Sequence, residues 1–520
     1  MNNIRQAAVV LMLLAVPLPM LAQEPIRERG GRSDAQQEQA RERPGRAGAP
    51  QEQQPQSGEG MLRLLPADAV SDHTVDLAGG KLAYTATAGT LALYDQNGQR
   101  SASVFYTSYV AKDADKQTRP VTFVFNGGPG AASAFLHLGL VGPKVLEFGP
   151  NGDAAKAELR TNPDTWLAFT DLVLIDPVGT GWSRPAKPDG GSAFWSIKRD
   201  ADSIAKTITL YLAKNGRMSS PKYLVGESYG GFRAIKVARA LQHDQGVAVS
   251  GIVMLSPMIE GSITFGGDRF PLGAALQLPS LVAAELERKK TFSEAALAEA
   301  ERFALTDYLT TLAGAPPQGE AARAFYARVA SLTGLPQDVV AKSRGFVRDA
   351  YVKHVRASER KVVSPYDATF AIDDPFPESE SASHDDPILD GFIRSYAGAF
   401  VGYAREELGF KTDITYALLA EVKWDWQDGN GRRQPSATAD LREFLALNPS
   451  LRVLIAHGYS DIVTPYSVSR YLLNHLPELS TPNRVALKLY RGGHMFYTDP
   501  SARRAFTKDS RAFFQDQATR

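Results

Sequence analysis

Two kinds of hydrophobic pattern follow one another along this chain. From His73 the pattern alternates, through Val75-Asp76-Leu77, Lys81-Leu82-Ala83-Tyr84-Thr85 and Gly89-Thr90-Leu91-Ala92-Leu93-Tyr94. A period of two predicts strands with one solvated face, and Gly79-Gly80 supplies a tight turn between the first two. The chain therefore starts as an antiparallel set, which Ser103 to Tyr109 extends. Apolar runs come next: Val121 to Phe125, Asp171 to Ile175, Gly251 to Leu255 and Leu451 to Ala456, with a β-like run at Lys222 to Leu224 and a last strand at Arg484 to Tyr490. Runs of this kind suit strands buried on both faces of a parallel sheet. Helix-length stretches such as Arg233 to Leu241 lie between them. Strands alternating with helices predict an α/β fold, with a mostly parallel central sheet flanked by helices. Ligand chemistry in such sheets sits beyond the carboxyl ends of the strands.

The strand signals largely stop between Ile259 and about Arg433. Apolar residues there recur at helical spacing, as in Leu297, Ala300, Ala304, Tyr308 and Leu312, or Phe392, Tyr396, Phe400 and Tyr403. The expected organisation is a core in two parts, 61–259 and 434–520, interrupted by a helical cap insertion at 260–433 that covers the strand ends. Ahead of the core, Met1 to Ala22 has a positive Arg5, an unbroken apolar stretch from Ala7 to Ala15 and a small residue at the expected cut, which is the pattern of a signal peptide. Residues 23–60 are rich in Gln, Glu, Arg, Pro and Gly, with Ile26 as the one large apolar residue. Such a segment buries too little to offset its backbone entropy and is expected to be a disordered linker.

Composition narrows the chemistry. The chain has 520 residues, 43% of them hydrophobic and 22% charged, with a net charge of +1. Nothing in that balance calls for nucleic acid or an anionic membrane surface as partner. There is no cysteine, which removes disulfides, thiolate metal sites and thiol catalysis together. A Cys-free exported chain suits a bacterial periplasm, and no membrane association is expected once the signal is removed. His384-Asp385-Asp386 lies in an acidic, Pro-containing stretch and reads as a solvated loop, so no metal site is expected.

One short stretch organises the rest. Val225-Gly226-Glu227-Ser228-Tyr229-Gly230-Gly231 joins a strand to a helix, and Gly-x-Ser-x-Gly in that setting is the nucleophile elbow of the α/β-hydrolase fold. The glycines are needed because the turn leaves no room for β-carbons. Asp461 follows the strand Leu451 to Ala456, and His494 follows the strand Arg484 to Tyr490. The order Ser, Asp, His is the α/β-hydrolase order. The expected roles are Ser228 as nucleophile, His494 as general base and then acid, and Asp461 as the carboxylate that holds the imidazole tautomer. Such acyl transfer needs no cofactor, and none is expected.

Two further loops carry long motifs, Asn126-Gly127-Gly128-Pro129-Gly130 and Asp176-Pro177-Val178-Gly179-Thr180-Gly181-Trp182-Ser183. With Gly226-Glu227-Ser228-Tyr229-Gly230-Gly231 after them, the chain resembles the serine carboxypeptidase (S10) family from about Phe105 to the C-terminus, apart from the insertion. The resemblance implies an enzyme that removes C-terminal residues from peptide substrates through an acyl-enzyme intermediate. It also implies backbone N–H oxyanion donors at Gly128 and Tyr229, and a substrate carboxylate held by Asn126 and Glu227. Glu227 beside a carboxylate would have to be protonated or share a proton, since two like charges at contact repel. The chain departs from the family pattern at Val124, where Trp is usual, and at Leu140, where many relatives carry a second acid. An esterase or acyltransferase using the same triad is the alternative.

Overall fold

The computed structural model describes residues 60–149, 152–381, 385–427, 435–479 and 481–518. The expected signal peptide at 1–22 and all but the last residue of the expected linker at 23–60 lie outside these residues. Along the chain the strands are β1 (Ala69–Leu77), β2 (Gly80–Tyr94), β3 (Arg100–Ala111), β4 (Val121–Phe125), β5 (Lys144–Gly149), β6 (Asp153–Thr161) and β7 (Asp171–Ile175). They continue with β8 (Arg184–Pro185), β9 (Lys222–Glu227), β10 (Gly251–Leu255), β11 (Lys361–Ser364), β12 (Asp367–Asp373), β13 (Arg452–Gly458) and β14 (Val485–Tyr490).

The main sheet has the order β1-β2-β3-β7-β4-β9-β10-β13-β14, with β8 attached to β3. β1, β2 and β3 are antiparallel, and the pairs from β7 and β4 through to β14 are parallel. The chain is thus an α/β-hydrolase fold with a mostly parallel sheet flanked by helices. The continuous apolar runs are explained by the pleat. Val225, Val253 and Leu454 feed a core on one face, with the helix Ser395–Glu406 and Phe506, Phe513 and Phe514 of the C-terminal helix. Their neighbours Leu224, Ile252 and Val453 feed a second core on the other face, with the helices Ile197–Lys214, Tyr229–Gln245 and Thr438–Leu447.

Register places the loops. Phe125 pairs with Gly226, Leu255 with Glu227 and with Ala456, and Gly458 with Tyr490. These five parallel strands, β4, β9, β10, β13 and β14, therefore end side by side, and the loops after them open on one edge of the sheet.

Three features differ from the sequence expectation. The two short strands expected at 81–85 and 89–94 are one strand, β2. Gly89 sits within it because a β-carbon there would meet Asp68 Oδ1 at 2.3 Å, and that carboxylate accepts the Thr90 N–H. The insertion holds a hairpin, β11–β12, among its helices. β12 is mostly half-buried, with no alternation and no continuous apolar run to mark it. Residues 407–427, expected as part of the helical insertion, form no helix. They run across the loops after β4 and β7, with bridges Ala131 to Leu419 and Gly181 to Ala417. Ile414, Tyr416 and Leu418 are buried at a period of two, a strand-like signal inside a helical region. Most helices of the insertion pack on a core of their own, around Leu278, Leu281, Phe303, Tyr308, Val329 and Tyr351, which also takes up Ile462. Among the described residues no helix is long and apolar enough to cross a membrane.

Candidate active site

The elbow between β9 and the helix Tyr229–Gln245 is built by exclusion. A β-carbon at Gly226 would stand 2.0 Å from the Gly230 carbonyl oxygen, and one at Gly230 would stand 2.8 Å from that of Phe125. Ser228 takes φ 60° and ψ −125°, a conformation that costs a non-glycine residue on the order of 1–3 kcal/mol. Three backbone bonds hold it there. Its N–H donates to Leu255 O at 2.9 Å, and its carbonyl accepts from Gly231 at 3.0 Å and Met258 at 3.2 Å. The Ser228 residue itself stays half-buried, between a buried Glu227 and a buried Tyr229.

Asp461 and His494 meet at the same edge of the sheet. His494 Nδ1 lies 2.8 Å from Asp461 Oδ2. The carboxylate can only accept, so Nδ1 carries the hydrogen and Nε2 is left with a free lone pair. Asp461 also accepts from the N–H groups of Val463 at 2.9 Å and Thr464 at 3.0 Å, and from the Thr464 hydroxyl at 2.7 Å. Burial works against a charge on His494, but Asp461, and to a smaller degree Glu227, outweigh it and raise the imidazole above its ordinary value. The His494 backbone is clamped from two sides. Its N–H donates to Tyr366 O at 2.5 Å, and its carbonyl accepts from Ser256 Oγ at 2.8 Å. The Tyr366 ring stands perpendicular to the imidazole, with centroids 5.3 Å apart.

The loop after β4 rests on the elbow. A β-carbon at Gly127 would come within 2.6 Å of the Tyr229 nitrogen, and Gly128 has φ +96°. Tyr229 opens a helix, where N–H groups lack intrahelical partners. Asn126 Nδ2 donates to Glu227 Oε2, and Asn126 Oδ1 accepts the Leu136 N–H at 3.1 Å. Glu227 is buried, and burial raises its carboxyl to about 7, against the pull of His494, Tyr497 and Asn126. Val124 and Leu140, where the chain departs from the family pattern, are both fully buried apolar residues.

Several contributors were not legible in advance. Arg233, on the elbow helix, pairs with Asp200 at 2.6 Å and donates to the Asn126 carbonyl, with its guanidinium 5.0 Å from the centre of the Tyr229 ring. Asp176 accepts from the Ser133 N–H at 2.8 Å and hydroxyl at 2.7 Å, which fixes the far end of the Asn126 loop. Tyr497 donates to Glu227 Oε1 at 2.8 Å. Thr464 and Tyr497 lie three residues beyond Asp461 and His494, so proximity in sequence was the one available hint. Tyr366 comes from a distant hairpin and gave none. Asp386 of the acidic loop accepts the N–H groups of Ile388 at 2.8 Å and Leu389 at 2.7 Å, as a cap.

Part of the chain is similar to a known family. Residues 83–261 match the serine carboxypeptidase family model. Serine carboxypeptidase-like 42 of Arabidopsis thaliana is 28% identical over 178 residues, 32% of this chain and 35% of that protein. Serine carboxypeptidase-like 44 of the same plant is 34% identical over 139 residues, 25% of this chain and 26% of that protein. The chain thus spans about a third or less of the length of these curated relatives. The crystal structure of Kex1(Δ)p, a prohormone-processing carboxypeptidase from Saccharomyces cerevisiae, superposes with a TM-score of 0.52 at 15% identity. That match covers 84% of this chain and 91% of that one, and it supports the α/β-hydrolase fold.

Proposed function

We propose that the protein is an exported serine-type carboxypeptidase that removes C-terminal residues from peptides. The observation that carries this reading is the Asp461–His494 hydrogen bond, formed at the strand edge that also bears the strained Ser228. In the proposed reaction His494 Nε2 takes the Ser228 proton as Oγ attacks the scissile carbonyl. Asp461 stabilises the imidazolium that results, and His494 then protonates the leaving amine. Water next attacks the acyl-enzyme with His494 again as base, which frees the shortened peptide and restores Ser228. The N–H groups of Gly128 and Tyr229 are the proposed oxyanion donors. Loss of such a donor costs on the order of 3 kcal/mol of barrier.

Asn126 and Glu227 are proposed to receive the terminal carboxylate. A Glu227 carboxyl raised to about 7 stays protonated below that pH, so it can donate to a carboxylate without like-charge repulsion. Recognition of a free C-terminus should then weaken as the pH rises through that value. Export rests on the sequence of residues 1–22. A bacterial periplasmic location rests on the absence of cysteine, whereas the relatives named above are from a plant.

The test is mass spectrometry of an unmodified peptide incubated with the protein at pH 5 to 6. Stepwise loss of single C-terminal residues, absent with Ser228→Ala, is expected. Internal cleavage, or trimming that survives the substitution, would contradict the proposal.

A further inference from the structure

We propose that Tyr497 is a positioning residue for the carboxylate site, a phenol that fixes which oxygen of Glu227 faces the substrate. The inference rests on the carboxypeptidase reading and deepens it. Glu227 is buried, and each of its oxygens takes a different donor. Oε2 accepts from Asn126 Nδ2, and Oε1 accepts from the Tyr497 hydroxyl at 2.8 Å. Tyr497 comes from the turn Phe496–Thr498, just beyond His494, so this contact also ties the His494 loop to the elbow.

The direction of the phenol is built in. Tyr497 is fully buried, and burial raises its hydroxyl well above the ordinary tyrosine value. It therefore remains a donor across the working range. Its ring lies against Gly139, where a β-carbon would meet Tyr497 Cε2 at 2.7 Å and the Tyr396 hydroxyl at 3.0 Å. The next residue, Leu140, is buried and apolar and offers Glu227 no polar group.

The phenol thereby fixes the rotation of the carboxyl group. Oε1 is turned to the Tyr497 hydroxyl and Oε2 to the Asn126 amide, so a substrate carboxylate beside that amide meets Oε2. Without the phenol the group can rotate about its last bond, and either oxygen can face the substrate. The other groups that act on Glu227 are His494, which favours its ionised form, and Asp461, which opposes it. Tyr366 and Tyr396 also sense its charge and stay neutral over the same range.

Tyr497→Phe tests this, with two readouts. The first is KM and kcat for a blocked dipeptide with a free C-terminus, against the same peptide amidated. At pH 5 we expect KM for the free acid to rise roughly tenfold with kcat little changed, and the amide to be unaffected. The second uses no substrate. With 13C-labelled glutamate carboxyls, the Glu227 signal is assigned by its loss in Glu227→Gln and titrated. Loss of a donor to the ionised form raises its midpoint, by about one pH unit. Gly139→Ala keeps the phenol but crowds its ring, and should move the same titration upward by less. An unmoved or lowered Glu227 midpoint in Tyr497→Phe overturns the proposal, as does an equal loss on both peptides. If the wild-type protein shows no preference for the free acid, the carboxypeptidase reading fails, and the titration still decides the role of Tyr497.

Discussion

The position of His494 depends on a backbone contact with the β11–β12 hairpin, and Gly493→Ala tests that dependence. A β-carbon at Gly493 would stand 2.0 Å from Tyr366 O, 2.5 Å from Asp367 Cα and 2.6 Å from Asp367 Cβ. Carbon normally approaches such atoms no nearer than about 3.4 Å, so the two backbones must part by more than 1 Å, roughly. The same Tyr366 oxygen accepts the His494 N–H, and Ser460 next to Asp461 donates to Gly492 O at 3.0 Å. Parting the hairpin from the loop therefore moves the base relative to Ser228. A misplacement of about 1 Å costs on the order of 100-fold in rate. The overpacking itself should cost about 1–3 kcal/mol, too little to unfold a protein of ordinary stability. The assay is the pre-steady-state acylation burst with an activated ester, with circular dichroism to confirm folding. Gly402→Ala is the control. Gly402 lies within the helix Ser395–Glu406, and a β-carbon there meets nothing within 4 Å. That change should leave the burst intact and raise stability by about 0.5–1 kcal/mol. A Gly493→Ala protein with an undiminished burst would refute the role given to the hairpin.

Other changes have defined outcomes. Asp461→Asn should lower kcat about 10⁴-fold with the fold retained, because an amide favours the wrong tautomer of His494; a loss under tenfold in steady-state assays would exclude that role. Arg233→Met leaves Asp200 buried without its partner and should cost about 3–5 kcal/mol by urea unfolding. Arg233→Met combined with Asp200→Leu should recover most of it, and failure to do so would point to lost packing instead. Glu227 has a carboxyl raised from 4.5 to about 7 in the folded state. Between those values the folded protein holds a proton that the unfolded chain releases. Its contribution is therefore full at the acid end and lost as the pH rises, by on the order of 3 kcal/mol. Relative to wild type, Glu227→Gln should remove that downward slope between about pH 4.5 and 7, and parallel unfolding curves would contradict it.

Much of the fold could be read from the sequence because the parallel strands feed two cores at once. Val121 to Phe125, Asp171 to Ile175 and Gly251 to Leu255 are continuous apolar runs, and they appear as strands with those bounds. Boundaries blurred where a glycine served a neighbour and not a turn, as at Gly89. The hairpin carrying Tyr366 escaped notice because it is held by the His494 loop and has almost no pattern of its own. Of the seven residues singled out in the sequence, Asp461 and His494 are hydrogen-bonded, as are Asn126 and Glu227. Ser228 and Tyr229 sit at the elbow, with the Tyr229 nitrogen close to Gly127, and Gly128 follows in the same loop. These were legible because each is fixed by a local turn after a strand. Arg233, Asp200, Tyr366 and Tyr497 were not, because none is marked by a glycine-rich turn after a strand and only the folded contacts give them a role.

The central claim is tested most directly by one set of substrates. An N-blocked dipeptide with a free C-terminus, the same peptide amidated, and a simple acyl ester are compared from pH 4 to 8, with Ser228→Ala as the blank. The account predicts that the free acid is cleaved in strong preference to the amide, and that the preference fades as the pH rises through about 7, where Glu227 ionises. It also predicts that all turnover is lost in Ser228→Ala. Ester hydrolysis with no preference for the free acid at any pH would contradict the account and assign the triad to an esterase.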